Sequence, residues 1–309
     1  MDARYVNLGC GSRFHPDWIN IDVVAASPGI IRHDLSKGIP LDDASCDAVY
    51  HSHLIEHLRR EDVKPFLREC RRVLKPGGVM RIATPDLESI CRTYLAKLEG
   101  ASRGDIASHH DYEWIVLELL DQLVRERRGG QMRDFLANTP LPNDAFVHAR
   151  IGDEALRPTQ SRAVSGTITR PEKQRVASRL LRRLKRIPQR LSQTLLRSLA
   201  GPADIRALEV GRFRLGGEVH QWLYDRYSLA RLLVSTGFVE PVVRAASTSA
   251  LPDWCGFQLD TRQDGTVRKP DSLFMEAIVP PTTDAFSRAV GMDSENAMAS
   301  ARSMAERTG

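Results

Sequence analysis

Apolar residues come in short runs near the start of the chain. Tyr5–Leu8, Ile19–Val23 and Ile30–His33 are three such runs, and "CDAVYH" (46–51) is a fourth, bounded by polar residues. Short apolar runs between turn formers read as buried strands. The period then changes. In "EDVKPFLRECRRVLKPGG" (61–78), Val63, Phe66, Leu67, Cys70, Val73 and Leu74 share one face of a helix, and Lys75, Pro76 and two glycines mark its end. "VMRIATP" (79–85) is a fifth strand. Strands alternating with helical or loop crossovers predict a mostly parallel, doubly wound, Rossmann-like α/β sheet.

After about residue 96 the pattern is different. "DYEWIVLELLDQLVRERRGG" (111–130) is amphipathic and predicts a helix, followed by a stretch rich in Pro, Asn and Arg. Within 170–197, Val176, Leu180, Leu184, Ile187, Leu191 and Leu195 recur at helical spacing, with Pro188 expected to kink or split the helix. Strand-like order resumes near 216. "YSLARLLVSTGF" (227–238) predicts a helix with Ser228 as its N-cap and Gly237 as its stop. "PVVRAAS" (241–247) and "SLFMEAIV" (272–279) are closing strands, for about seven in all. The expected organisation is a core in two parts, 1–96 and 216–281, interrupted by a largely helical insertion or lid over 97–215. Residues 282–309, rich in Ala, Ser, Met and Thr, read as a weakly ordered tail.

Composition narrows the class. Hydrophobic residues at 42% and charged residues at 27% are the balance of a soluble globular protein with a sizeable core. A net charge of +5 is mild for 309 residues and does not by itself argue for nucleic acid. The five cysteines are odd in number, widely spaced and free of any C-x-x-C, which speaks against a disulfide framework or a cysteine-rich zinc site. No basic start leads into a short apolar segment, and no run of about 18 apolar residues occurs. The expectation is a cytoplasmic protein.

Candidate chemistry starts with "RYVNLGCGSRFHPDWINIDV" (4–23). A strand that ends in Gly-x-Gly lets the backbone approach a ligand closely. A carboxylate at the tip of the next strand, Asp22, can accept hydrogen bonds from a ribose hydroxyl pair. Both sit at the edge where open α/β sheets bind ligands. Asp34, after the third strand, is placed to read an adenine edge. A lone Gly-x-Gly also serves an ordinary tight turn, and the third glycine of the dinucleotide fingerprint is absent, since Arg13 and Phe14 follow Ser12.

The pieces "VNLGCGS", "INID", "HDLSKGIPLDDASCDAVY", "HLIEHL" and "LRECRRVLKPGGVMRIATPD", in that order over residues 5–86, resemble a class I S-adenosylmethionine-dependent methyltransferase of the methyltransferase-11-like group. "HQWLYDRYSLARLLVSTGF" and "DSLFMEAIVP" resemble the closing part of a subgroup met among bacterial surface-glycan and secondary-metabolite enzymes. The resemblance implies S-adenosylmethionine as cofactor. It implies that Gly9 and Gly11, with Cys10 between them, cradle its methionine moiety, that Asp22 holds its ribose, and that Asp34 with Leu35 contacts its adenine. Asn7 stands where the family usually has an acidic residue, so it can accept a hydrogen bond without bringing charge. Only Cys10–Trp18 separates the first two strands, too short for an ordinary helical crossover. The first helix is therefore expected to be one turn or absent.

His53, Glu56 and His57 spell H-x-x-E-H, which on a helix could hold zinc with the glutamate as base. The alternatives are packing or capping by His57, or a place beside the cofactor's methyl group, where His53 or His57 could position a substrate or take its proton. His220, Gln221, Trp222, Tyr224 and Asp225 form a polar-aromatic cluster that suits a sugar or ring, or a structural hairpin. The expected roles are His53 and His220 on the catalytic side, His57, Gln221, Trp222 and Tyr224 on the acceptor side, and no metal. The expected reaction is methyl transfer to an oxygen, less readily a nitrogen, of a saccharide or small metabolite. The alternatives are a non-catalytic cofactor-binding subunit of a glycan-assembly or biosynthetic complex, and a zinc hydrolase. The basic stripe at 170–197 reads as a lid, as a peripheral contact with an anionic inner membrane surface, or as a nucleic-acid or protein contact.

Overall fold

The computed structural model describes residues 3–138, 140–152 and 201–281. The basic stripe at 170–197 and the tail at 282–309 lie outside the described residues. The chain divides into two compact units, one built from Met1–Leu95 with Gln221–Gly309 and one from Ala96–His220.

The first unit is organised by a seven-stranded sheet with strands β1 (Tyr5–Leu8), β2 (Ile19–Asp22), β3 (Ile30–Arg32), β4 (Cys46–Ser52), β5 (Leu74–Pro85), β6 (Val239–Arg244) and β7 (Ser272–Ile278). Their order across the sheet is β3-β2-β1-β4-β5-β7-β6. The first five strands pair in parallel, while β7 runs antiparallel to both β5 and β6. The expected mostly parallel α/β sheet is what forms. Because β7 is reversed, its first residue, Ser272, lies opposite Pro85 at the last position of β5. The start of β7 thus joins the edge where the parallel strands end.

One face of the sheet carries α1 (Arg60–Val73), which buries Val63, Phe66, Leu67, Cys70 and Val73 against Val6, Leu8, Ile21, Val49, Met80 and Ile82. The helix α7 (Arg226–Ser235) adds Leu229 and Leu233 to the same core. Its N-cap is Asp225 rather than Ser228. The Asp225 carboxylate accepts from the backbone N–H groups of Tyr227 and Ser228, and the Ser228 hydroxyl accepts from the Asp225 N–H in return. Ser228 is the other half of a reciprocal cap, three positions in. Gly237, at φ 92°, follows the helix end as expected.

No helix forms between β1 and β2, as the short connection implied. Two buried asparagines hold the loop instead. Asn7 Nδ2 donates to Arg13 O at 2.9 Å and to Asn20 Oδ1 at 3.3 Å, and Asn20 Nδ2 donates to His15 O and Trp18 O at 2.8 and 2.7 Å. Without a crossover helix, the second face of the sheet is covered from the far end of the chain. Trp254 and Leu259, in the β6–β7 connection, pack with Trp18, Tyr50 and Val79. Arg81 of β5 is fully buried on this face, paired with Asp260 at 2.9 Å and Glu276 at 2.8 Å, with its guanidinium 4.2 Å from the Trp254 ring centre. β5 starts earlier than position 79 because Leu74 already pairs with Cys46, and Lys75–Gly78 bulges before the ladder resumes at Val79.

The helix α2 (Leu87–Ser102) follows β5 in the chain, and the second unit contains α3 (Ile106–Val124), α4 (Gly130–Ala137), α5 (Asp144–Ile151) and α6 (Pro202–Arg214). The helix expected over 111–130 is α3, shifted toward the N-terminus. Asp105 caps it by accepting from the N–H groups of Ala107 and Ser108, and Asp121 turns its carboxylate to the Gln131 N–H beyond its end. Trp114, Met132, Val147 and Ile151 form the unit's apolar core. Buried Glu118 accepts from Trp114 Nε1 at 3.1 Å and is paired with Arg150, and buried Asp121 is paired with Arg125 at 2.8 Å.

Candidate active site

The tips of β1 and β2 meet in a backbone turn that only glycine suits. Gly9 has φ +61° and Gly11 has φ +53°, both left-handed. A Cβ on Gly9 would stand 2.9 Å from Leu54 Cδ1, whereas a Cβ on Gly11 would meet nothing within 4 Å. A side chain at the first glycine would displace the tip of Leu54, and the second leaves open backbone at the surface. The Asp22 carboxylate closes the turn: Oδ2 accepts from the Gly11 N–H at 2.8 Å and Oδ1 from the Val24 N–H at 2.7 Å. A carboxylate has about four acceptor directions, so two backbone donors leave capacity for two hydroxyls.

The neighbouring residues divide into ligand-facing and structural ones. Asp34 is exposed and caps the single 3₁₀ turn Leu35–Lys37, its Oδ1 accepting from the Ser36 hydroxyl and N–H. The hydrogen bond from Ser36 holds its carboxyl below the ordinary aspartate value. Leu35 is half-buried and packs against the main core. Cys10 is buried, and burial pushes its thiol up to about 11, so it is not a nucleophile at neutral pH. Asn7 is 1% exposed and spent on the loop. The uncharged residue in this place ties the turn together from within.

The end of β4 supplies the second part of the site. His53 has φ 50°, a conformation costing a non-glycine residue roughly 1–3 kcal/mol. Its N–H donates to Ala83 O at 2.8 Å. Its Nδ1 lies 3.1 Å from Glu56 Oε1, and its Nε2 lies 2.9 Å from Ser272 Oγ. Glu56 is fully buried, and its Oε2 accepts from Thr84 Oγ1 at 3.2 Å. Ile55–His57 is a single 3₁₀ turn with His53 outside it. The two histidines of H-x-x-E-H therefore do not share a helix face, and the helical premise of the zinc motif is not met. Half-buried His57 ends the turn, its N–H donating to Leu54 O. Fully buried His51 lies against Phe66, and burial lowers it to about 4, so it is neutral at pH 7.

The 220–225 cluster is distributed. His220 belongs to the second unit, where it is buried and its N–H donates to Gln122 O. In the first unit, the N–H groups of Gln221 and Trp222 donate to Glu56 O at 2.6 and 3.3 Å. Trp222 is exposed, with the Arg60 guanidinium 4.1 Å from its ring centre. Tyr224 is 5% exposed in the main core, and burial pushes its phenol up to about 12. It packs rather than presenting a ring to a ligand. Thus 53–57, 221–222 and 272 converge. Ser272 and Thr84 escaped the sequence reading. Ser272 opens one strand-like run and Thr84 lies near the end of another, and only the antiparallel register of β7 on β5 puts Ser272 at this edge.

Residues 7–82 match the sequence family described as "Methyltransferase domain". Among curated proteins, a probable S-adenosylmethionine-dependent methyltransferase of Mycolicibacterium smegmatis is 48% identical over 56 residues, 18% of this chain and 21% of the relative. One of Mycobacterium tuberculosis is 46% identical over 48 residues, 16% of this chain and 17% of the relative. The chain spans about a fifth of the length of these curated relatives. Among solved structures, an S-adenosylmethionine-dependent methyltransferase from Mesorhizobium loti is 28% identical with TM-score 0.22, covering 27% of this chain and 46% of that one. One from Thermotoga maritima is 9% identical with TM-score 0.35, covering 90% and 83%.

Proposed function

We propose that this chain, whose residues 7–82 are a class I S-adenosylmethionine-dependent methyltransferase domain, moves a methyl group from that cofactor to an oxygen of a saccharide or small metabolite. The observation that carries the reading is the Gly9–Gly11 turn closed by Asp22 at the strand tips. The residues fit the cofactor. Gly11 presents backbone without a Cβ toward open space, Asp22 keeps acceptor capacity for the ribose hydroxyls, and Asp34 stands exposed beyond β3 for the adenine edge. Leu35 follows Asp34, half-buried, its side chain packed against the main core.

The cofactor, when bound, supplies a methyl group activated on a sulfonium sulfur. Displacement at that methyl needs the acceptor oxygen in line and its proton removed. His53 stands at the end of β4 with a ring nitrogen at this edge, and Trp222, whose N–H donates to Glu56 O, offers an exposed ring. These two are read as base and acceptor platform. His51, being neutral, brings no positive charge next to His53.

Titration calorimetry with S-adenosylmethionine, followed by transfer of its labelled methyl into small-molecule and glycan fractions of a cell extract, tests the reading. Wild-type protein should bind and transfer. Asp22→Ala should bind at least tenfold more weakly, since a hydrogen bond to a charged group contributes about 1.5–3 kcal/mol and 1.4 kcal/mol is tenfold. Unchanged affinity would remove Asp22 from the ribose site, and binding without transfer to any fraction would sink the transferase reading.

A further inference from the structure

We propose that Glu56 and Ser272 are positioning residues that fix which nitrogen of His53 serves as base: Glu56 holds the ring proton on Nδ1, and the Ser272 hydroxyl rests on Nε2, the atom that takes the acceptor's proton. The inference deepens the reading of the site as a hydroxyl methyltransferase and rests on it. A neutral imidazole carries one proton. A carboxylate oxygen 3.1 Å from Nδ1, in ion-pair contact rather than aligned for a hydrogen bond, would face a bare lone pair with repulsion, so the proton belongs on Nδ1. Nε2 is then an acceptor, and the hydroxyl 2.9 Å from it donates. Glu56 is itself held, by Thr84 Oγ1 through its other oxygen and by the backbone N–H groups of Gln221 and Trp222 through its carbonyl. A fully buried carboxylate is costly unless partnered, so its place beside the ring is a built feature.

Around His53 stand His51 on β4, Glu56 on the following turn, Ser272 on β7 and, through its electrostatic field, Asp260 from the β6–β7 connection. When an acceptor hydroxyl takes the place of Ser272 at Nε2, the step balances. The oxygen–carbon bond forms as the sulfur–carbon bond breaks, the bonding pair stays on sulfur, and the acceptor's proton moves to Nε2. The resulting imidazolium sits against Glu56, which compensates its charge. An alcohol is the class of acceptor that needs such a base, because its proton is not lost spontaneously at neutral pH.

The test reads the ring directly and needs no acceptor. Long-range proton–nitrogen correlation spectra of histidine-labelled protein at neutral pH, with His53→Gln to assign the signal, report the tautomer. Wild type should show Nδ1–H. Glu56→Met should shift His53 toward Nε2–H, and Glu56→Gln does so in part and serves if the first variant does not fold. An Nε2–H ring in wild type, or an unchanged pattern in a folded Glu56 variant, overturns the role of Glu56. Separately, diethyl pyrocarbonate, which attacks an unprotonated ring nitrogen, should modify His53 several-fold faster in Ser272→Ala, with the site read by mass spectrometry. An unchanged rate overturns the role of Ser272. Cofactor affinity is measured apart from both, so loss of the methyltransferase reading and loss of this inference are distinguishable.

Discussion

At the scale of single residues, the site depends on a few positions whose backbone or charge cannot be exchanged. Gly9 illustrates this. Its φ of +61° costs an L-residue about 1–2 kcal/mol, and an added Cβ would also stand 2.9 Å from Leu54 Cδ1. Gly9→Ala should therefore lower the melting temperature and weaken S-adenosylmethionine binding together, because Leu54 must move and the turn that presents Gly11 moves with it. Scanning calorimetry and titration calorimetry on the same preparation check this, and an unchanged melting temperature would show that the turn relaxes freely. His53 is the other backbone outlier at the site, and three contacts over-determine it: its N–H on Ala83 O, Nδ1 on Glu56, and Nε2 on Ser272. Gly9 and Asp22 were legible from the sequence because glycine and a strand-tip carboxylate are local signals. The role of Asn7 was not, since it turns on which way a side chain packs.

At the scale of elements, helix ends and loops are decided by reciprocal polar contacts. The start of α7 belongs to Asp225, with Ser228 returning a bond to its backbone. Asp225→Ala removes two acceptor contacts and should destabilise the protein by about 0.5–2 kcal/mol, the usual range for losing an N-cap. Ser228→Ala removes only the returning bond and should cost less. Urea unfolding of the two variants ranks them, and an equal loss or the reverse order would show that Ser228 dominates the cap. The same logic explains the β1–β2 connection. Asn7 and Asn20 satisfy carbonyls at Arg13, His15 and Trp18 that a helix would have satisfied internally. The sequence announced the short connection by its length alone. It could not announce what replaces the helix, because two asparagines thirteen residues apart have no periodic signature.

At the scale of the whole molecule, a buried charge cluster makes stability depend on pH. Burial pushes Glu276 up, but hydrogen bonds from the Ser249 hydroxyl, the Ala250 N–H and Arg81 outweigh it, so its carboxyl sits below the ordinary value. A depressed carboxylate stabilises the fold above its unfolded pKa, and that contribution is lost as pH falls through the folded one. Wild-type protein should therefore lose melting temperature as pH drops below the ordinary glutamate value of about 4.3. Glu276→Gln should melt lower at pH 7 and lose less on acidification. Asp260 runs the other way, because burial raises it by more than Arg81 and Tyr50 lower it. An equal acid slope in wild type and Glu276→Gln would show that Glu276 is not the group responsible. The sequence by itself determined the first five strands, the glycine turn, the helix α1 and the alternation that makes the sheet parallel, because strand and helix periods and left-handed turns are written within a few neighbouring residues. Only the tertiary structure decided that Ser272 meets His53 across 219 residues, that Asp260 meets Arg81 across 179, and that the β6–β7 connection covers the face left bare by the missing helix. The physical reason is that the direction and register of β7 on β5 come from packing between distant segments, and no local pattern records which distant residue a side chain will face.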